Sequence, residues 1–122
     1  MVMVVIVAIL LCLNGFILGF IEHTSAQMLE ELQTAVDLMN AGDQKALLKQ
    51  INAMQEQWAT SEERWESCVD HEDVENINIA LTRLNAMAEG GTLDIMPAEM
   101  QELAFLLHHM VEQHSLKWEN IL

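Results

Sequence analysis

The sequence predicts an all-α protein: one N-terminal transmembrane helix followed by a small antiparallel helical bundle of three to four amphipathic helices. Three observations carry that prediction. The first 21 of the 122 residues contain no Asp, Glu, Lys, Arg or His. The remainder repeats apolar residues at spacings of three and four, the period of one helix face. Breakers are few, with five Gly and one Pro, while Leu, Met, Ala, Glu and Gln abound; these side chains lose little rotamer freedom on a helix. The chain divides into an anchor, residues 1–21, and an acidic helical domain, residues 22–122, which is large enough for one modest core.

The anchor reads MVMVVIVAILLCLNGFILGFI from Met1 to Ile21. At about 1.5 Å per residue it spans roughly 30 Å, the thickness of a bilayer's hydrocarbon. A helix is the one single segment that satisfies its own backbone there, so the partner of residues 1–21 is membrane lipid. Asn14 offers a hydrogen bond to a neighbouring helix. The competing reading is a cleaved signal peptide, with Thr24-Ser25-Ala26 as a small-residue cleavage site. The length of the run and the lack of a basic segment before it favour a retained anchor. Cys12 is not a lipoprotein cysteine by pattern, because bulky Leu11 precedes it. The first basic residue is Lys45, so the positive-inside rule gives no vote on orientation. An acidic, base-poor domain meets no retention signal and moves down the membrane potential, which places it outside the cytoplasm.

Beyond the anchor, Leu29, Leu32, Val36 and Met39 continue the first helix as an apolar stripe. Asn40-Ala41-Gly42-Asp43 breaks it; Gly42 suits a left-handed cap and Asp43 the next N-terminus. A second helix runs from about Asp43 to about Val69 on Leu47, Ile51, Met54, Trp58, Trp65 and Cys68 or Val69. Trp58 and Trp65 share one face and read as core anchors, with a ligand cage as the competing use. A corner follows at Asp70-His71-Glu72-Asp73. Asp70 caps a third helix, and Glu72, Asp73 and Glu75 complement its dipole. That helix carries Val74, Ile77, Leu81, Leu84 and Ala88, and Gly90-Gly91 ends it. Thr92 to Met96 connect to a fourth helix, with Pro97 in its first turn and Met100, Leu103, Leu107, Met110 and His114 on its stripe. The tail from Ser115 to Leu122 keeps Leu116, Trp118, Ile121 and Leu122 and is expected to dock. Short loops make adjacent helices antiparallel.

Function is less legible. The formal net charge of −14 comes from 19 acidic and 5 basic residues. It leaves no basic stripe for nucleic acid and disfavours contact of the domain with anionic lipid. Cys12 and Cys68 lie in different environments, so no disulfide framework exists. No Gly-x-Ser-x-Gly turn, phosphate loop or activated thiol is present, and the chain reads as a non-enzyme without a cofactor. The histidines are His23, His71, His108, His109 and His114. Neither Glu-x-x-His nor His-Glu-x-x-His occurs. A metal site would need His71 to meet His108 or His109 across helices, with Glu72 or Glu75 nearby.

Trp58 and Trp65, Val69-Asp70-His71-Glu72 with Val74 and Ile77, Glu102-Leu103-Ala104-Phe105-Leu106-Leu107 with His109, and Leu116-Lys117-Trp118-Glu119-Asn120-Ile121-Leu122 together resemble the bacterial family called domain of unknown function 4363, found mostly in Firmicutes. The resemblance covers nearly the whole chain. Its most specific parts are the His-Glu pair and the Glu-Asn-Ile-Leu ending. It implies a single membrane helix followed by a helical domain, and no assigned activity. The chain departs from the family's usual pattern in lacking a basic residue just after Met1.

The reading that results is a membrane-tethered helical interaction or structural protein of a Gram-positive bacterium, its partner another membrane or cell-envelope protein. Trp58, Trp65, His71, Glu72 and Asn120 are the residues to test. The alternative is a metal- or pH-responsive sensor using the histidines.

Overall fold

The computed structural model describes the backbone of residues 1–66 and 70–121, and the side chains of these except 63, 65, 66 and 114–121. Four helices account for nearly all of it: α1 (Val2–Asn40), α2 (Gln44–Glu66), α3 (His71–Gly90) and α4 (Met96–Ile121). Each packs on its neighbours in sequence, and α4 closes back on α1; among the described residues the diagonal pairs do not meet. This is an up-down-up-down four-helix bundle. Its walls are α2, α3, α4 and the second half of α1. The first half of α1 projects beyond it.

The chain turns where local chemistry forces it to. Gly42 takes a φ of +76°, a left-handed conformation that a Cβ would disfavour. There its N–H reaches Met39 O and the Asp43 N–H reaches Leu38 O, closing the end of α1 with orphan carbonyls satisfied. Asp43 then accepts a hydrogen bond at 3.1 Å from the Ala46 N–H and caps α2, as its position in the sequence predicts. Gly91, at φ +69°, repeats the device after α3, with the Thr92 N–H bonded to Met87 O. Asp70 occupies the N-cap of α3 in extended backbone, but its side chain makes no capping hydrogen bond. Instead its carbonyl accepts the Asp73 and Val74 N–H groups. Pro97 falls in the first turn of α4.

The core matches the expected stripes of α2, α3 and α4. Leu47, Ile51, Met54 and Trp58 are buried, as are Val74, Ile77, Leu81, Leu84 and Ala88, and Met100, Leu103, Leu107 and Met110. On α1 the stripe is different. Ile21, Thr24, Ser25, Met28, Leu32 and Ala35 are buried, whereas Leu29, Val36 and Met39 are only partly covered. The seam mixes large Ile21, Met28 and Leu32 with small Thr24, Ser25 and Ala35, and α4 approaches closely at Ser25, whose buried hydroxyl donates to Leu107 O at 3.2 Å. Met96, expected in a connection, opens α4 and is buried. The segment read as a docked tail is a continuation of α4, whose backbone stays helical to Ile121. No Gly or Pro follows Pro97 to stop it.

Candidate functional site

The sequence singled out two tryptophans and a polar corner. Trp58 is 1% exposed and packs inside the bundle among Leu47, Ile51, Met54 and the stripes of its neighbours. That is the surrounding of a core anchor rather than of a ligand cage open to solvent. Trp65 lies in the last turn of α2 and Asn120 in the last turn of α4; their side chains, with that of His114, fall outside those described, as do Cys68 and Val69 altogether.

The histidines are dispersed. His71 starts α3 and faces solvent, its Nε2 3.8 Å from Glu75 Oε2 one turn on. Glu72 is exposed beside it, in the first turn where its charge favours the helix N-terminus. His109 crosses the α3–α4 seam, Nε2 3.9 Å from Asp73 Oδ1, and its ring stacks on Phe105 with centroids 5.7 Å apart. His108 points to the other side of α4, into a shallow depression with Glu22, Ser25 and Glu112. The register explains the separation. Asp73, not His71, is the α3 residue level with His109. Among the described residues no three His, Cys, Asp or Glu side chains gather where they could hold a metal ion.

What periodicity did not reveal is a set of polar seams. Gln50, Gln57 and Arg64 recur every seventh residue along the α1-facing side of α2. The Gln50 amide donates to Glu31 O at 3.1 Å. The Gln57 amide nitrogen donates to both oxygens of the Glu31 carboxylate. The Arg64 guanidinium lies 5.8 Å from the centre of the Phe20 ring, a cation–π contact at the anchor-proximal end. Burial pushes the Glu31 carboxyl above its ordinary value. The α3-facing side of α2 repeats the spacing. Gln55 accepts from Asn85 and Glu62 accepts from Asn78, each at 2.8 Å. At the far end the Gln44 amide donates to Ala88 O at 2.9 Å, and Arg83 pairs with Glu99 at 3.6 Å. These contacts run along the α1–α2, α2–α3 and α3–α4 seams.

The partly covered stripe of α1 has its own consequence. Leu29, Leu32, Val36 and Met39 line an apolar groove against Pro97, Met100 and Ala104 of α4, with a volume of about 280 Å³. Gln33 and Gln101 stand at its edge.

At the N-terminal end, the first half of α1 leaves its apolar side chains uncovered. Met1 to Leu13 and Phe16 supply most of the large exposed hydrophobics in the described residues. The helix is long and apolar enough to cross a membrane. It enters the bundle without a break: Ile17 and Phe20 pack on the core and Ile21 is fully buried.

A family model described as Domain of unknown function (DUF4363) matches residues 16–121. No curated protein and no solved structure matches the chain.

Proposed function

We propose that this chain, which belongs to the family described as Domain of unknown function (DUF4363), is a single-pass membrane protein of the cell envelope. Its four-helix bundle is a non-enzymatic interaction or structural module displayed outside the cytoplasm. One observation carries the reading: α1 is a single unbroken helix from Val2 to Asn40, apolar and exposed in its first half and a wall of the bundle in its second. With no hinge between the two, the bundle is held at a fixed attitude to the bilayer. Such a mounting suits a part that must present one face to a neighbour, and the partner we infer is another membrane or cell-envelope protein. Retention of the anchor is supported by the core itself: cleavage after Ala26 would remove Ile21, Thr24 and Ser25, which the bundle buries.

Fractionation of cells expressing the full chain tests the reading. The protein should remain with membranes through an alkaline wash at the mass of the unprocessed chain. Recovery in the soluble fraction, or loss of the first two dozen or so residues, would refute it. A reporter active only outside the cytoplasm, fused after Leu122, should be active. Crosslinking in intact cells should then recover a defined envelope partner.

The competing reading, a metal- or pH-responsive sensor, draws on the His109–Asp73 pair that bridges α3 and α4. A thermal melt with saturating zinc separates the two, since a ligand of the native state raises its midpoint. An unmoved midpoint removes the metal form of the sensor.

A further inference from the structure

The register between α1 and α4 puts the end of α4 at the depth of the anchor. Ser25 and Leu107 are level, joined by their hydrogen bond. Trp118 lies as far past Leu107 as Asn14 lies before Ser25, and Ile121 is three residues further. At about 1.5 Å per residue, the helical backbone beyond Leu107 extends roughly 20 Å towards and along the apolar half of α1. The other two helices stop short. The last turns of α2 reach Phe20, where Arg64 sits, and α3 begins only at His71.

The anchor itself bears the mark of a neighbour at this level. Asn14, Ile17, Leu18 and Ile21 are half-buried or buried, while Leu13, Gly15, Phe16 and Gly19 are exposed. The covered positions fall on one helical face, in line with Thr24, Ser25 and Met28. The Asn14 side-chain oxygen is closed off from solvent with no hydrogen-bond partner among the described residues. One side of an apolar, charge-free stretch is therefore shielded by protein, and α4 is the helix placed to shield it.

The geometry points to a second membrane contact: the last turns of α4, whose backbone is helical to Ile121, run alongside α1 in the leaflet on the bundle's side, with lipid as the partner. The composition of the segment fits. Leu116, Trp118 and Ile121 are apolar or interfacial residues, and Trp is favoured at the boundary between headgroups and hydrocarbon. The presence of Lys117 and Glu119 in the sequence suits the outer part of the leaflet, because charge becomes costly towards the bilayer centre. A helix seated at that boundary buries its apolar face by about 5–10 Å. The bundle then stands on two helices, one crossing and one dipping, which resists tilting in a way that a single helix does not.

This inference rests on α1 spanning the membrane, and one experiment tells the two failures apart. The full chain, with Cys12→Ala and Cys68→Ala, is reconstituted into phosphatidylcholine vesicles. An environment-sensitive fluorophore is attached at Asn120→Cys, with Lys117→Cys as a second position and the exposed Ala98→Cys as the distal control. Lipids carrying a shallow nitroxide should extinguish most of the emission at 120 and 117 and leave 98 unchanged, while aqueous iodide does the reverse. Iodide quenching at 120 and 117 equal to that at 98 overturns the inference. So does protection of both positions from both quenchers, which would mean that protein covers the segment. If the chain fails to float with the vesicles at all, the anchor reading falls and this inference with it.

Discussion

The two halves of α1 are one helix under opposite rules. From Met1 to Phe16 nearly every large side chain is apolar and exposed; from Ile21 to Ala35 only one face is buried and the rest is polar or half-covered. In the first half the surroundings demand apolarity on all sides, so composition alone reveals it. In the second half the core claims a narrow strip that mixes large and small residues, with α4 in hydrogen-bond contact at Ser25. Apolarity therefore reports the solvent in the first half and the neighbour in the second.

This contrast can be broken from either side. Trp58→Ala should have the largest effect, destabilising the bundle by about 3–5 kcal/mol, since it removes a fully buried aromatic. Chemical denaturation of the full chain in detergent, followed by helical circular dichroism, should show the midpoint fall, whereas Leu10→Ala on the anchor should leave it in place. Leu11→Arg is the mirror experiment. It should penalise membrane insertion by about 2.5–3.5 kcal/mol, seen as a shift of protein from the membrane to the soluble fraction, with the bundle's unfolding midpoint unchanged. If Leu11→Arg also lowers that midpoint, the halves are more strongly coupled than their burial implies.

Two smaller effects sharpen the comparison. Gly91 has a left-handed backbone, and a Cβ there would lie 3.3 Å from Gln44 Nε2. Gly91→Ala should cost about 1–2 kcal/mol, read by thermal melting. Gly15→Ala, where a Cβ meets nothing within 4 Å, should cost the bundle nothing. The smallest effect is Glu31→Gln. Burial raises the Glu31 carboxyl, so the folded state holds its proton more tightly than the unfolded state does. That group's contribution to stability is therefore greatest below the ordinary carboxylate range and declines as pH rises through it. At neutral pH the substitution should change stability by less than about 0.5 kcal/mol. The difference between the melting points of wild type and variant should shift in that pH window and be flat above it. A growing loss on substitution as pH rises would show that the Gln57 hydrogen bonds outweigh desolvation.

Legibility followed the same physics. The stripes of α2, α3 and α4 were readable because large apolar residues at Leu47, Ile51, Trp58, Ile77, Leu84, Leu103 and Leu107 repeat with the helical period. The turns were readable because Gly42 and Gly91 supply the backbone freedom they need. The strip on α1 was not, because Thr24, Ser25 and Ala35 look unremarkable beside Leu29, Val36 and Met39, and the latter residues line a groove instead. The seams at Gln50, Gln57 and Arg64, and at Asn78 and Asn85, were invisible for a related reason. A polar residue every seventh position is also what a solvated helix face looks like. The histidines needed a register to be placed, and the register separated His71 from His109.

By itself, the sequence determined that this chain is helical, where three of its core faces lie, and that its N-terminal stretch is suited to lipid. Each of these follows from residue type and local spacing, which act within a few turns of one helix. Tertiary structure decided which side of α1 joins the core, which polar groups meet across helices, and how far α4 runs beside the anchor. Those depend on the relative register of helices distant in sequence, visible in contacts such as Ser25 with Leu107 and Asp73 with His109, to which no local pattern is sensitive.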